Sequence, residues 1–185
     1  MDLSVSLTDI QAAASRIDPY IIKTPVISNH ALDERVGGKV LLKAENLQRT
    51  GSFKFRGACN RILKMTQEER QRGVVAWSSG NHAQGLAAAA ALFGVSATIF
   101  IPEDAPRIKA ERAASFGANI TRFDRYHDDK AALTSDFANK TGAIFVPAFD
   151  DIDIIAGQGT GGRELAAWAE ENKAPLDAVL VCCGG

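Results

Sequence analysis

The chain has 185 residues, 46% of them hydrophobic and 23% charged, with a net charge of −1, which is ordinary for a soluble globular protein of one or two domains. Its basic residues are scattered, which argues against a nucleic-acid or anionic-membrane surface and for a small, non-polymeric ligand. Cys59, Cys182 and Cys183 have neither metal-ligand spacing nor the arrangement of a disulfide framework.

The first segments in chain order are a helix near Thr8 to Arg16, a short extended piece Pro25-Val26-Ile27, and a strand Val40 to Lys43. The start Met1-Asp2-Leu3-Ser4 lacks a basic region followed by an apolar run, so a secretory signal is not expected and the cytoplasm is the expected location. The segment Ser52-Phe53-Lys54-Phe55-Arg56-Gly57-Ala58 reads as a helix start, with Ser52 as N-cap and Lys54 in the first turn. There the helix dipole and the flanking aromatics disfavour a charged amine. A neutral lysine amine condenses with an aldehyde to a Schiff base.

From Val74 onward, apolar runs alternate with helical segments. Val74 to Trp77 precedes a helix from Asn81 to Phe93, and Ala97 to Ile101 precedes one from Pro106 to Phe116, which Gly117 ends. Ala118 to Thr121 precedes a helix from Asp128 to Asn139, and Ala143 to Val146 closes the series. Repeated βαβ units predict a parallel sheet with helices on its faces and ligands at the carboxyl ends of its strands. The apolar stretch Gly85 to Ile101 is divided by Gly94 into an alanine-rich helix and a strand, so it reads as core rather than a membrane span. A long helix ending near Asn172 and a final strand, Ala178 to Val181, follow; with the early segments they are expected to form a second sheet interrupted by the middle block.

Ser78-Ser79-Gly80-Asn81-His82-Ala83-Gln84-Gly85 follows a strand and opens a helix. Its small residues and free N–H groups suit a carboxylate or phosphate. Gly157-Gln158-Gly159-Thr160-Gly161-Gly162 satisfies G-x-G-x-x-G after a β-like run, Ile152 to Ile155. The acidic residue that a dinucleotide site needs after the next strand is missing, because that strand runs into Cys182-Cys183. His30, His82 and His127 have no paired ligand spacing, so no metal site is expected. Asp150-Asp151 reads as a loop or helix N-terminus, and Ser79 with His82 lacks the nucleophile elbow and orienting acid of a hydrolase.

Three motifs in order carry a resemblance: Gly51 to Ala58, Ser78 to Gln84, and Phe149-Asp150-Asp151 with Gly157-Gln158-Gly159-Thr160. On them the chain resembles the fold-type II pyridoxal-phosphate enzymes, in the threonine/serine dehydratase and serine racemase branch. The resemblance implies an α/β, tryptophan synthase β-like fold: a parallel-sheet small domain (residues 49–147) inserted in an incomplete large domain (residues 1–48 and 148–185). It implies pyridoxal 5'-phosphate held by Lys54, which also moves the α-proton. Phe53 and Asn81 would contact the cofactor, with Gly184 and Gly185 at its phosphate. Ser78, Ser79, Gly80, Asn81 and His82 would hold the substrate carboxylate, and Ser79 matches the second acid/base of racemase relatives.

The activity so implied is a dehydratase (ammonia-lyase) acting on threonine, serine or a related β-hydroxy amino acid, giving a 2-oxo acid and ammonia. The alternatives are a serine-type racemase and a non-catalytic binding module. The parent enzyme is expected to be a homo-oligomer. Against the family pattern of four glycines the chain stops after two, Gly184-Gly185. The expectation is therefore an amino-terminal portion with weak cofactor binding and little activity, whose last strand is an exposed sheet edge.

Overall fold

The structure is a computed structural model that describes residues 4–182. Its sheet has four parallel strands in the order β5-β4-β3-β6, formed by β3 (Val74–Trp77), β4 (Ala97–Pro102), β5 (Asn119–Phe123) and β6 (Ile144–Phe145). Three helices connect them: α5 (Asn81–Leu92), α6 (Arg107–Ser115) and α7 (Lys130–Thr141). This is the predicted βαβ series.

Alternation along the strands separates two faces. Val74, Ala76, Ile99 and Ile101 join Leu86, Ala89 and Ala113 of α5 and α6 in the larger core cluster. Val75 and Phe100 point the other way, where Leu133, Phe137 and Ala138 of α7 cover them. Phe100 and Phe137 meet edge to face, with ring centroids 5.8 Å apart.

The chain leaves β3 toward β4 and β5 on one side, then crosses to β6 on the other. Connections therefore diverge between β3 and β6, the switch point whose carboxyl-end crevice is where sheets of this kind hold ligands.

The flanking segments form α1 (Leu7–Ile17), β1 (Val26–Ser28), α2 (His30–Val36), β2 (Leu41–Lys43), α3 (Lys54–Leu63), α4 (Gln67–Arg72) and α8 (Ile152–Glu171). β1 and β2 pair antiparallel as a separate two-stranded sheet. Glycines set the close approaches around α3. A Cβ on Gly85 of α5 would lie 3.0 Å from the Lys54 carbonyl carbon, and one on Gly157 of α8 would lie 2.7 Å from the Arg56 oxygen. The helix carrying Lys54 is thus wedged between α5 and α8.

A buried ionic cluster ties these pieces together. Arg56 is fully buried; its Nε and Nη2 donate to Glu45 at 2.8 Å each, and Nη1 and Nη2 donate to Glu164 at 2.7 and 2.9 Å. Lys43 adds a donor to Glu164 at 2.6 Å. Two cations face two carboxylates, so the cluster is neutral.

Three sequence expectations are corrected. Ile152 to Ile155 is not β-like but the first turn of α8: Asp151 accepts from the N–H groups of Asp153 and Ile154, and this capping overrides the β-branched preference. Gly157 and Gly159 therefore lie inside a helix rather than in a strand-to-helix turn. Ala178 to Val181 forms no strand; among the described residues nothing pairs with its backbone, and Leu180 is 97% exposed. The second sheet accordingly holds β1 and β2 alone among the described residues. Finally, Ser52 does not cap α3. Phe53 occupies the cap position with helical backbone angles and no side-chain cap bond, and Ser52 Oγ is buried without a partner among the described residues.

Candidate active site

Lys54 is the first residue of α3, with its side chain half-buried at the crevice. Its Nζ donates to the carbonyl of Ala148 at 2.7 Å and lies 5.2 Å from the centre of the Phe53 ring, itself partly exposed. Burial lowers the amine's pKa.

The Ser78–His82 turn arrives from β3. Ser78 N–H extends the ladder to Phe100 O at 3.0 Å, and Ser78 Oγ accepts from Gly80 N–H at 3.2 Å. Gly80 caps α5 with no side-chain bond to the helix's first N–H groups, and a Cβ at Gly80 would meet nothing within 4 Å. The open end of α5 therefore presents unspent backbone donors to free space. Ser78, Ser79 and Gly80 are half-buried and Asn81 is exposed.

His82 turns inward. It is buried, and its Nε2 bonds the carbonyl of Val146 at 2.9 Å. Burial above all, with the Lys54 charge assisting against the Val146 bond, pushes its pKa down to about 4.

The segment after β6 thus supplies carbonyls two residues apart to both motifs, Val146 to His82 and Ala148 to Lys54. Sequence reading missed these partners, because a backbone carbonyl has no side-chain signature. It also missed the cluster around Arg56, for which the one available signal was an arginine among the apolar residues Phe55, Ala58 and Cys59 of α3. Cys59 is buried with its thiol pushed up to about 12 and is no nucleophile. Gly184 and Gly185 lie outside the described residues.

The family model "Pyridoxal-phosphate dependent enzyme" matches residues 17–185. The chain belongs to that family. Among its relatives, the L-threo-3-hydroxyaspartate ammonia-lyase of Saccharomyces cerevisiae is 45% identical over 177 residues, covering 96% of this chain and 53% of the relative. The L-threonine ammonia-lyase of Thermotoga maritima is 42% identical over 181 residues, 98% of this chain and 44% of the relative. The crystal structure of serine racemase from Dictyostelium discoideum superposes with a TM-score of 0.85 at 40% identity, covering 90% of this chain and 54% of that one. The chain spans about half the length of the relatives it matches. Its α/β parallel-sheet fold is the fold-type II architecture of these pyridoxal-phosphate enzymes.

The family's cofactor is pyridoxal 5'-phosphate, and the residues present fit it. Lys54 is a half-buried amine of lowered basicity, the uncapped end of α5 with open space at Gly80 suits an anionic or phenolic oxygen, and Ser52 Oγ is a buried polar atom without a partner among the described residues. No helix among the described residues is long and apolar enough to cross a membrane.

Proposed function

We propose that the protein is a pyridoxal-phosphate-dependent ammonia-lyase (dehydratase) for threonine, serine or a related β-hydroxy amino acid, yielding a 2-oxo acid and ammonia. The observation that carries this reading is the amine of Lys54, half-buried and of lowered basicity, at the β3/β6 crevice beside the open end of α5. Ammonia-lyase relatives for hydroxyaspartate and threonine support the substrate class.

Lys54 would hold the cofactor, and its Nζ would accept the proton from the substrate α-carbon. When bound, the cofactor withdraws electrons from that carbon. Ser78 to His82 would orient the substrate carboxylate through the backbone N–H groups that open α5, while Asn81, exposed at the first helical position, and Phe53 would help to hold the cofactor. In this reading residues 49–147 form the smaller of two domains, with residues 1–48 and 148–185 contributing to the larger.

Ser79 supports a second reading, amino-acid racemisation, since a serine hydroxyl opposite Lys54 would return a proton to the other face. Serine racemases among the relatives favour it.

Incubation with pyridoxal phosphate, borohydride reduction and peptide mapping test the site; 2-oxo acid release tests the activity. Lys54 is expected to carry the label and Lys54→Ala to abolish it. Equal labelling of Lys54 and surface lysines overturns the assignment.

A further inference from the structure

The imidazole of His82 has no task in the chemistry above, yet it is 3% exposed and chain-buried beside the reactive lysine. Its Nε2 faces the Val146 carbonyl at 2.9 Å. A carbonyl only accepts, so Nε2 carries the proton and Nδ1 of the neutral ring is a bare acceptor, buried without a partner among the described residues. Donating a proton from the neutral ring would require surrendering the one that holds Val146.

Val146 is itself buried and fixed a second time, because its N–H donates to Val75 O at 2.9 Å, one step beyond β6. Pro147 follows, locking its own φ and restricting Val146 to extended geometry. Ala148, the acceptor of the Lys54 amine, comes next. The far end is anchored at Asp151, which caps α8 and accepts from Arg61 Nε of α3 at 3.1 Å. With the proline removing one rotatable dihedral between them and Asp151 fixing the far end, the placement of Val146 restricts where the Ala148 carbonyl can lie.

We propose that His82 is a positioning residue for Lys54: by pinning Val146 it sets the Ala148 carbonyl, which aims the lysine amine into the β3/β6 crevice. The inference rests on the reading that Lys54 captures the cofactor. It differs from a space-filling role, for which leucine would serve as well as histidine.

The test compares the wild-type chain with His82→Leu, which fills the space without a donor, and His82→Gln, whose amide N–H reaches the Val146 carbonyl. Each is incubated with pyridoxal phosphate, reduced with borohydride and mapped by mass spectrometry, with circular dichroism reporting the fold. Labelling of Lys54 relative to surface lysines is expected to fall about tenfold in His82→Leu, the equivalent of one lost hydrogen bond, and to recover in His82→Gln. Undiminished Lys54 labelling in folded His82→Leu overturns the positioning role and leaves the cofactor reading standing. Absent Lys54 labelling in wild type overturns the cofactor reading and with it this role. Independently of any variant's folding, nitrogen-15 NMR of the wild-type imidazole is expected to show a neutral ring protonated at Nε2. A ring protonated at Nδ1 overturns the proposal.

Discussion

Replacing Arg56 with methionine keeps most of the buried volume and removes one positive charge from the cluster Lys43, Arg56, Glu45 and Glu164. The remaining charges sum to −1, in a site where the Glu45 and Glu164 side chains are 17% and 10% exposed. Four hydrogen bonds to carboxylates vanish together with the one from Nη1 to Thr160 Oγ1 at 3.2 Å. Lys43 reaches Glu164 at 2.6 Å but stands 4.0 Å from Glu45, so Glu45 is the carboxylate left without a close cation. Breaking a buried ion pair from one side costs about 3–5 kcal/mol, against a total stability of about 5–15 kcal/mol for a domain. With a urea slope of about 2 kcal/mol/M, the unfolding midpoint of Arg56→Met should drop by about 2 M. The double variant Arg56→Met/Glu45→Gln restores neutrality and keeps an acceptor for Thr24 Oγ1, so it should be more stable than the single variant. A loss below about 1 kcal/mol in the single variant, or a double variant no better, would refute the reasoning that an uncompensated charge is the cost.

Further measurements probe other parts of the structure. The folded pKa of His82 near 4 lies below the ordinary 6.5, so the native ring stays neutral while the unfolded ring takes up a proton. Stability from this group is complete above pH 6.5, falls as pH drops and levels off below about pH 4, a total of about 3 kcal/mol. Urea midpoints measured across that window should show the slope in wild type and its reduction in His82→Gln. Glu164 acts at lower pH. Burial alone would raise it, but hydrogen bonds and charge from Arg56 and Lys43 outweigh that and hold it below 4.5, so its contribution is present above that pH and is lost as pH falls through the lowered folded value. Gly157→Ala forces a methyl to within 2.7 Å of Arg56 O and Gly57 Cα, and thermal denaturation should show a loss of about 1–3 kcal/mol. Gly162→Ala, with nothing within 4 Å, should be neutral or mildly stabilising in the same assay. Where both activities are detectable, a chiral assay on Ser79→Ala should show racemisation lost and elimination retained; unchanged racemisation removes Ser79 as the second acid/base.

Much of the architecture was legible in the residues themselves. Strands buried on both faces of a parallel sheet must be continuous apolar runs, so Val74 to Trp77 and Ala97 to Ile101 identified themselves, as did the helices between them. Lys54 stood out through its aromatic neighbours, and Ser78 to Gly85 through a density of small and polar residues at a strand-to-helix junction. Local reading failed where a neighbour outvoted propensity. The β-branched Ile152 to Ile155 became helix because Asp151 satisfied its first N–H groups and Ile154 packed into the core. Ala178 to Val181, apolar and partly β-branched, found no strand to pair with among the described residues, and a strand without a ladder leaves its backbone groups to water.

The sequence by itself determined the class of fold and the family, and singled out Lys54 as the candidate amine, because periodicity and motif spacing are properties of neighbouring residues. Tertiary structure alone decided that Arg56 would bridge Glu45 and Glu164, and that Val146 and Ala148 would hold His82 and Lys54. Those bonds join positions 11 to 108 residues apart, and two of the four end on backbone carbonyls, which every residue possesses and which only the folded chain distinguishes.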